Sequence, residues 1–191
     1  MKIQLISTFL ILVISTVFAG TNPRKKVVVD TKNSTISWVG KKVIGKHTGT
    51  LTLQEGYLEV NRDTITGGVF IIDMTSLQVT DLAAGKGKEK LESHLSSSSF
   101  FDIATHPTAT FKITEATSND GSLYNVVGEL TIKGHTETTH IQLIKSRNNF
   151  TTTFEVDRTK YDIIYDTGGF LDGLKNKAIH NKFELTMSLH I

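Results

Sequence analysis

Residues 179–191, which read IHNKFELTMSLHI, show most directly how this chain folds. Apolar side chains occupy every second position from Phe183 to Ile191, and polar side chains occupy the positions between them. Successive side chains of a β-strand point to opposite faces of a sheet, whereas a helix repeats every ~3.6 residues. The segment is therefore predicted to be a long strand with one buried face.

The same alternation recurs along most of the chain, for example around Trp38, Phe111, Val126, Leu130 and Phe154. Short segments rich in Gly and Asn separate these stretches and suit hairpin turns, because both residues adopt positive φ at low cost. The turn candidates are Glu55-Gly56, Asn119-Asp120-Gly121, Lys133-Gly134 and Asn148-Asn149. Strands joined in this way, without helices between them, predict an antiparallel meander.

About eight strands with one apolar face each must bury that face, and closing the sheet into a barrel does so while removing both edges. We therefore expect an all-β protein, an eight-stranded antiparallel up-and-down barrel; an immunoglobulin-type sandwich is the competing fold. The run Val69–Ile72 is apolar on both faces, so we expect the short helix described below or a partner chain, as in a homodimer, to cover it.

Two segments interrupt the alternation. Asp81–Ser99 has helical spacing at residues 88–95 and then a run of serines, which predicts a short helix on one long connection. The segment 161–178 is predicted to be a second irregular connection before the last strand. Long connections commonly carry lids, so both segments are candidates for the rim of the barrel.

The composition of the chain argues against several classes of function. The chain has 191 residues, no cysteine and a formal net charge of +2, with 38% hydrophobic residues. This predicts one globular domain without disulfides, thiolate metal sites or cysteine nucleophiles. Because the charges form no basic block, no nucleic-acid partner is expected.

The N-terminus has the pattern of a secretory signal peptide. Lys2 precedes an apolar run from Ile3 to Phe18, and Ala19-Gly20 resembles a cleavage site for small residues. We predict a signal peptide over residues 1–19 and a mature domain over residues 20–191, periplasmic or secreted, without stable membrane insertion after cleavage. The alternative is an uncleaved transmembrane anchor.

Six blocks occur in order along the chain: Ser37–Lys42 with His47-Thr48-Gly49, Gly67–Met74, Leu91–Leu95 with Phe100–Asp102, Pro107–Phe111, Gly128–Gly134, and Asp157–Ile163. Together they resemble the YceI-like family. The resemblance covers roughly residues 28–191. It implies an exported, lipocalin-like barrel whose apolar tunnel holds a polyisoprenoid or another long-chain amphiphilic lipid of the fatty-acyl type.

A binding protein of this kind needs a dry channel of aliphatic and aromatic side chains. Our candidates for the tunnel wall are Trp38, Phe70, Ile72, Met74, Phe111, Ile113, Val126, Leu130, Phe150, Phe154, Phe183 and Met187. The same residues could instead fill a solid core. Our candidates for the entrance are His47, His94, Phe100, Phe101 and Arg158.

The sequence favours a binding protein over an enzyme. It contains no Gly-x-Ser-x-Gly elbow, no His-Glu-x-x-His helix and no phosphate-binding glycine loop. The seven histidines show no metal-ligand spacing, so neither a metal nor another cofactor is expected. The alternative is a periplasmic enzyme or a redox or metal accessory protein that uses His47 or His94.

Overall fold

The computed structural model describes residues 24–42, 44–164 and 179–191. The predicted signal peptide, and residues 165–178 of the second irregular segment, lie outside the described residues. The strands are β1 (Lys25–Val28), β2 (Asp30–Lys42), β3 (Lys46–Asn61), β4 (Thr64–Val79), β5 (Thr108–Thr117), β6 (Leu123–Ile132), β7 (His135–Ser146), β8 (Asn149–Asp157) and β9 (Ile179–His190), and the helix α1 is Lys88–Ser96.

Strands β2 to β9 form a closed antiparallel barrel. Each strand pairs with the next along the chain, and β9 returns to pair with β2, where Trp38 lies opposite Leu185. The short β1 extends the same wall, pairing with β3 where Lys25 lies opposite Val60. The prediction of an eight-stranded up-and-down barrel with a short helix on one long connection is confirmed.

The apolar face of every strand points into the barrel. In β9, Leu185, Met187 and Leu189 are each at most 5% exposed, in agreement with the alternation of residues 179–191. Burying such side chains contributes about 25 cal/mol per Å² of apolar area, which makes this lumen the main source of stability.

Large aromatic side chains lie flat inside the barrel because glycines face them on the neighbouring strands. A Cβ atom at Gly49 would come within 2.3 Å of the Trp38 ring and 2.0 Å of the Gln78 carbonyl oxygen. A Cβ atom at Gly128 would come within 2.4 Å of the Phe111 ring. Both contacts are shorter than van der Waals distance, so any larger residue would displace the ring.

One predicted turn was wrong. Glu55-Gly56 lies inside β3, at a shift in the register between β3 and β4. The chain reverses instead at Arg62 and Asp63, which have φ values of 48° and 65°. Gly56 has a packing role, because a Cβ atom there would lie 2.9 Å from the Phe70 ring.

Strands β7 and β8 pair only near the hairpin that joins them. They pair only from Ile144 to Ser146 on β7, and a 3₁₀ turn at Arg158–Tyr161 contacts β7 beyond that point. Tyr161 is 2% exposed there, and burial raises its pKa.

The outer side of β4 is partly uncovered. Val69 and Ile71 are half-buried, and α1 is attached farther along the strand, where the Glu92 carboxylate accepts a hydrogen bond from the Val79 N–H at 2.8 Å. A homodimer through this surface stays a prediction. In the part of the chain that the structure describes, no helix has the length and apolar character that crossing a bilayer requires.

Candidate functional site

One end of the barrel is hollow. A cavity of about 640 Å³ opens between the C-terminal ends of β2, β4 and β6 and the N-terminal ends of β3, β5 and β9. This volume lies within the ~300–1,000 Å³ range of small-molecule sites. Its wall is apolar and includes Ile36, Leu77, Ala109, Ile132 and Leu185.

Eleven of the twelve tunnel candidates divide into two groups. Five of them line the cavity, namely Trp38, Ile72, Met74, Leu130 and Phe183. Six others are at most 5% exposed and fill the remaining part of the barrel, namely Phe70, Phe111, Ile113, Val126, Phe150 and Met187. Phe154 is half-buried and packs against this core. One half of the lumen is therefore a cavity large enough for a ligand, and the other half is a solid core.

The boundary between the two halves is a pair of stacked rings. Phe70 and Phe111 are register partners on β4 and β5, with ring centroids 6.5 Å apart. The next inward-facing pair toward the open end is Ile72 with Ala109, and both of these residues line the cavity. The Phe70–Phe111 pair thus forms the layer directly behind the cavity wall.

The long connection after β4 covers the open end. Leu82, Leu91 and Leu95 line the cavity together with the barrel wall, as do all five entrance candidates, His47, His94, Phe100, Phe101 and Arg158. A chain of ring contacts joins α1 to β9: His94 to Phe100 at 5.6 Å, Phe100 to Phe101 at 4.9 Å, and Phe101 to Phe183 at 6.2 Å. We name residues 80–107 the mouth segment.

The serine run is ordered within the mouth segment. The Ser97 hydroxyl donates to the His94 carbonyl oxygen at 2.7 Å, and the Asp102 N–H donates to the Ser97 carbonyl oxygen at 2.8 Å. These bonds close tight turns directly after α1 and place Phe100, which is 7% exposed, against the core. The last carbonyl groups of the helix are thereby satisfied, because His94 O accepts from both the hydroxyl and the N–H of Ser97, and the carbonyl oxygens of Leu95 and Ser96 accept from the N–H groups of Phe101 and Ile103.

A polar array of Lys42, His47 and Asp81 stands at the mouth. The Lys42 Nζ atom lies 3.0 Å from His47 Nε2, and His47 Nδ1 lies 2.8 Å from Asp81 Oδ2. An ammonium group can only donate, so Nε2 accepts and Nδ1 carries the proton that is donated to Asp81. The array therefore selects one tautomer of a neutral imidazole.

Asp81 is itself held in place by the barrel. Its Oδ1 atom accepts a hydrogen bond from the Thr48 N–H at 2.9 Å. Partial burial opposes ionisation of the carboxyl group, but the hydrogen bonds from Thr48 and His47 outweigh it, so the pKa of Asp81 is lowered. The carboxylate thus fixes His47 and ties the mouth segment to β3.

Arg158 has a structural position. Its side chain is 2% exposed and donates to the carbonyl oxygens of Ile163 at 2.6 Å, His180 at 3.1 Å and Ile179 at 3.3 Å. These bonds join the 3₁₀ turn to the start of β9. The guanidinium group therefore stabilises one side of the mouth.

Among the residues that the structure describes, the charged side chains that line the cavity are all basic. Apart from the histidines and Arg158, they are Lys41, Lys42, Lys90 and Lys182. Lys42 was not among the entrance candidates, although its alternation with Trp38 and Gly40 on β2 places it on the inner face. Among the described residues, no group of three His, Cys, Asp or Glu side chains is arranged to hold a metal ion.

Comparison with known proteins gives the family. The family model described as YceI-like domain matches residues 28–191. Of the solved structures, BcnA of Burkholderia cenocepacia is 22% identical, with a TM-score of 0.64 over 84% of this chain and 98% of that one. A polyisoprenoid binding domain from Saccharophagus degradans implicated in plant cell wall breakdown is 14% identical, with a TM-score of 0.58 over 85% of this chain and 95% of that one. No curated protein sequence matches.

The two solved structures share the fold described above, and the family match covers all the strands of the closed barrel together with the mouth segment. This chain belongs to the YceI-like family.

Proposed function

We propose that this chain is an exported binding protein that holds the hydrocarbon chain of a polyisoprenoid or fatty-acyl-type lipid in the hollow end of its barrel, as a carrier, store or scavenger. The observation that carries the proposal is the apolar cavity of about 640 Å³, open at one end under a separate mouth segment. The polyisoprenoid binding domain from Saccharophagus degradans, which shares the fold, supports the same ligand class.

The physical basis of binding is that the cavity wall and the hydrocarbon chain of the ligand are both apolar. A hydrocarbon chain offers no hydrogen bonds, so it binds by removing apolar area from water, at about 25 cal/mol per Å². The wall offers aliphatic and aromatic groups, and Met74 adds a flexible side chain that adapts to a flexible ligand. A cavity of this kind gains free energy when a lipid chain fills it.

Export is the second part of the proposal. It rests on the charged, apolar and small-residue pattern of residues 1–19, which predicts removal of a signal peptide and a periplasmic or secreted protein. N-terminal sequencing of the protein recovered outside the cytoplasm should begin at or near Gly20. Recovery of membrane-bound protein that retains Met1 would contradict this part.

Native mass spectrometry with lipid extraction tests the binding itself. We expect the purified protein to carry a lipid of one main class, and the variant Ala109→Phe to carry none. Ala109 is 4% exposed and lines the cavity, so a phenyl ring there occupies the space of the ligand.

The matched control is Ala116→Phe. Ala116 lies on the same strand but outside the cavity lining, so this variant should keep its lipid. Far-UV circular dichroism establishes that both variants fold. Lipid content that is unchanged in a folded Ala109→Phe variant would contradict binding in the cavity.

A further inference from the structure

The basic residues of the mouth differ in how far their charges are already compensated. Lys182 lies 3.1 Å from the Glu155 carboxylate. Lys41 and Lys90 are exposed, so water screens their charges. Lys42 is different, because it is half-buried and faces the cavity from the inner side of β2.

The position of Lys42 is fixed by neighbours that leave much of its bonding capacity unused. The ammonium group has three N–H donors, and His47 Nε2 accepts one of them. No carboxylate in the described parts of the chain lies within 4 Å of its Nζ atom. His47 is held in turn by Asp81, so the ammonium group is positioned before any ligand arrives.

A half-buried cation beside an apolar chamber selects the polar end of a ligand. A neutral headgroup would reduce the hydration of Lys42 without supplying an opposite charge, whereas an anionic oxygen forms a charge-assisted hydrogen bond. Since the described residues that line the cavity include no Asp or Glu, nothing there competes for the lysine or repels an anion.

We propose that the ligand is an anionic single-chain amphiphile, and that Lys42, positioned by His47 and Asp81, binds its carboxylate or phosphate headgroup at the mouth. This inference rests on the proposed function, because it assigns the polar end of the lipid whose chain fills the cavity. Lys42 is the binding residue, and His47 and Asp81 are positioning residues.

The test compares ligands that differ only in the headgroup. The purified, delipidated protein is loaded with the neutral apolar probe N-phenyl-1-naphthylamine, which is displaced by palmitic acid or 1-hexadecanol, and by farnesyl phosphate or farnesol. We expect wild type to bind at least one of the anions about 10-fold or more tightly than its alcohol, and the preferred pair identifies carboxylate or phosphate.

Variants of single residues identify the side chain that causes the preference for an anionic headgroup. Lys42→Gln should reduce the anion-to-alcohol ratio to about one without weakening the alcohol, and Lys42→Arg should retain part of it. Lys46→Gln, which removes the same charge from an exposed residue at the start of β3 that does not line the cavity, should leave the ratio unchanged. Asp81→Ala should lower the ratio and leave alcohol binding intact, because it removes the acceptor that holds the positioning residue His47.

The outcomes separate this inference from the proposed function. Equal binding of anions and alcohols by wild type, or an unchanged ratio in a folded Lys42→Gln variant, would overturn the headgroup assignment while leaving lipid binding standing. If wild type binds neither the naphthylamine probe nor any one of the four ligands, the proposed function itself is overturned.

Discussion

The depth of the cavity should limit the length of the chain that it holds. If the Phe70–Phe111 layer is the floor, truncating one of its rings extends the cavity into the solid half of the barrel. Phe111 is 3% exposed and its ring stacks on Phe70 at 6.5 Å, so Phe111→Ala removes a fully packed side chain. We expect this variant to lose about 3–5 kcal/mol of unfolding free energy.

The assay is a series of fatty acids of increasing length, with Kd measured by displacement of the naphthylamine probe. Each buried methylene contributes about 0.8 kcal/mol, which is about four-fold in Kd. In wild type this gain should stop when the terminal methyl group reaches Phe70 and Phe111. In Phe111→Ala the gain of about four-fold per methylene should continue for longer chains.

The control is Phe150→Ala. Phe150 is 2% exposed but lies opposite Leu189, toward the other end of the barrel, so its loss should cost similar stability without changing the limiting chain length. Unfolding is followed by circular dichroism in urea, at pH 7, with and without ligand. The same limiting length in wild type and in a folded Phe111→Ala variant would refute the assignment of the floor.

Three further predictions concern the mouth and the barrel wall. His94→Ala should speed release of a bound fluorescent fatty acid about 2- to 10-fold at unchanged far-UV circular dichroism, because it removes the ring contact with Phe100; an unchanged rate would mean that this contact does not hold the mouth segment. Gly49→Ala should destabilise the fold by about 1–3 kcal/mol in urea titrations, because its Cβ atom would overlap the Trp38 ring, and wild-type stability would contradict the packing. The lowered pKa of Asp81 should stabilise the fold above about pH 4 and cease to do so as the pH falls through the lowered value; the stability difference between wild type and Asp81→Asn should therefore shrink on acidification, and a difference that grows would contradict the sign.

The local pattern was sufficient for the strands and insufficient for one of the turns. Turns at Lys133-Gly134 and near Gly121 fall where glycine and polar residues predict them, with φ values of 50°, 77° and 74°. Glu55-Gly56 has a similar composition, yet it lies within a strand because Gly56 makes room for Phe70. Gly56 is required by a tertiary contact, whereas Gly121 and Gly134 are required by a backbone conformation with positive φ. Composition does not distinguish these two reasons.

The candidate site was predictable in type but only partly in detail. Alternation indicates which side chains point inward, and this includes Lys42, which was not among the predicted entrance residues. It does not indicate which of the inward side chains border the cavity, even at one level of the barrel. Phe111 and Leu130 are register partners, yet Leu130 lines the cavity and Phe111 does not.

The sequence pattern was enough to predict strands with one apolar face and to identify that face, because a period of two is a local property that each strand carries independently. It favoured a barrel over an immunoglobulin-type sandwich, and the pairing of β9 with β2 confirms the closure. The hollow half of the lumen could be found only in three dimensions, since an internal void depends on the summed volumes of side chains from all the strands at one level. It also brought Asp81 to His47 and Phe101 to Phe183, which are 34 and 82 residues apart in sequence. Contacts over such separations depend on strand register and on the path of the mouth segment, and neither is encoded in the pattern of a single strand.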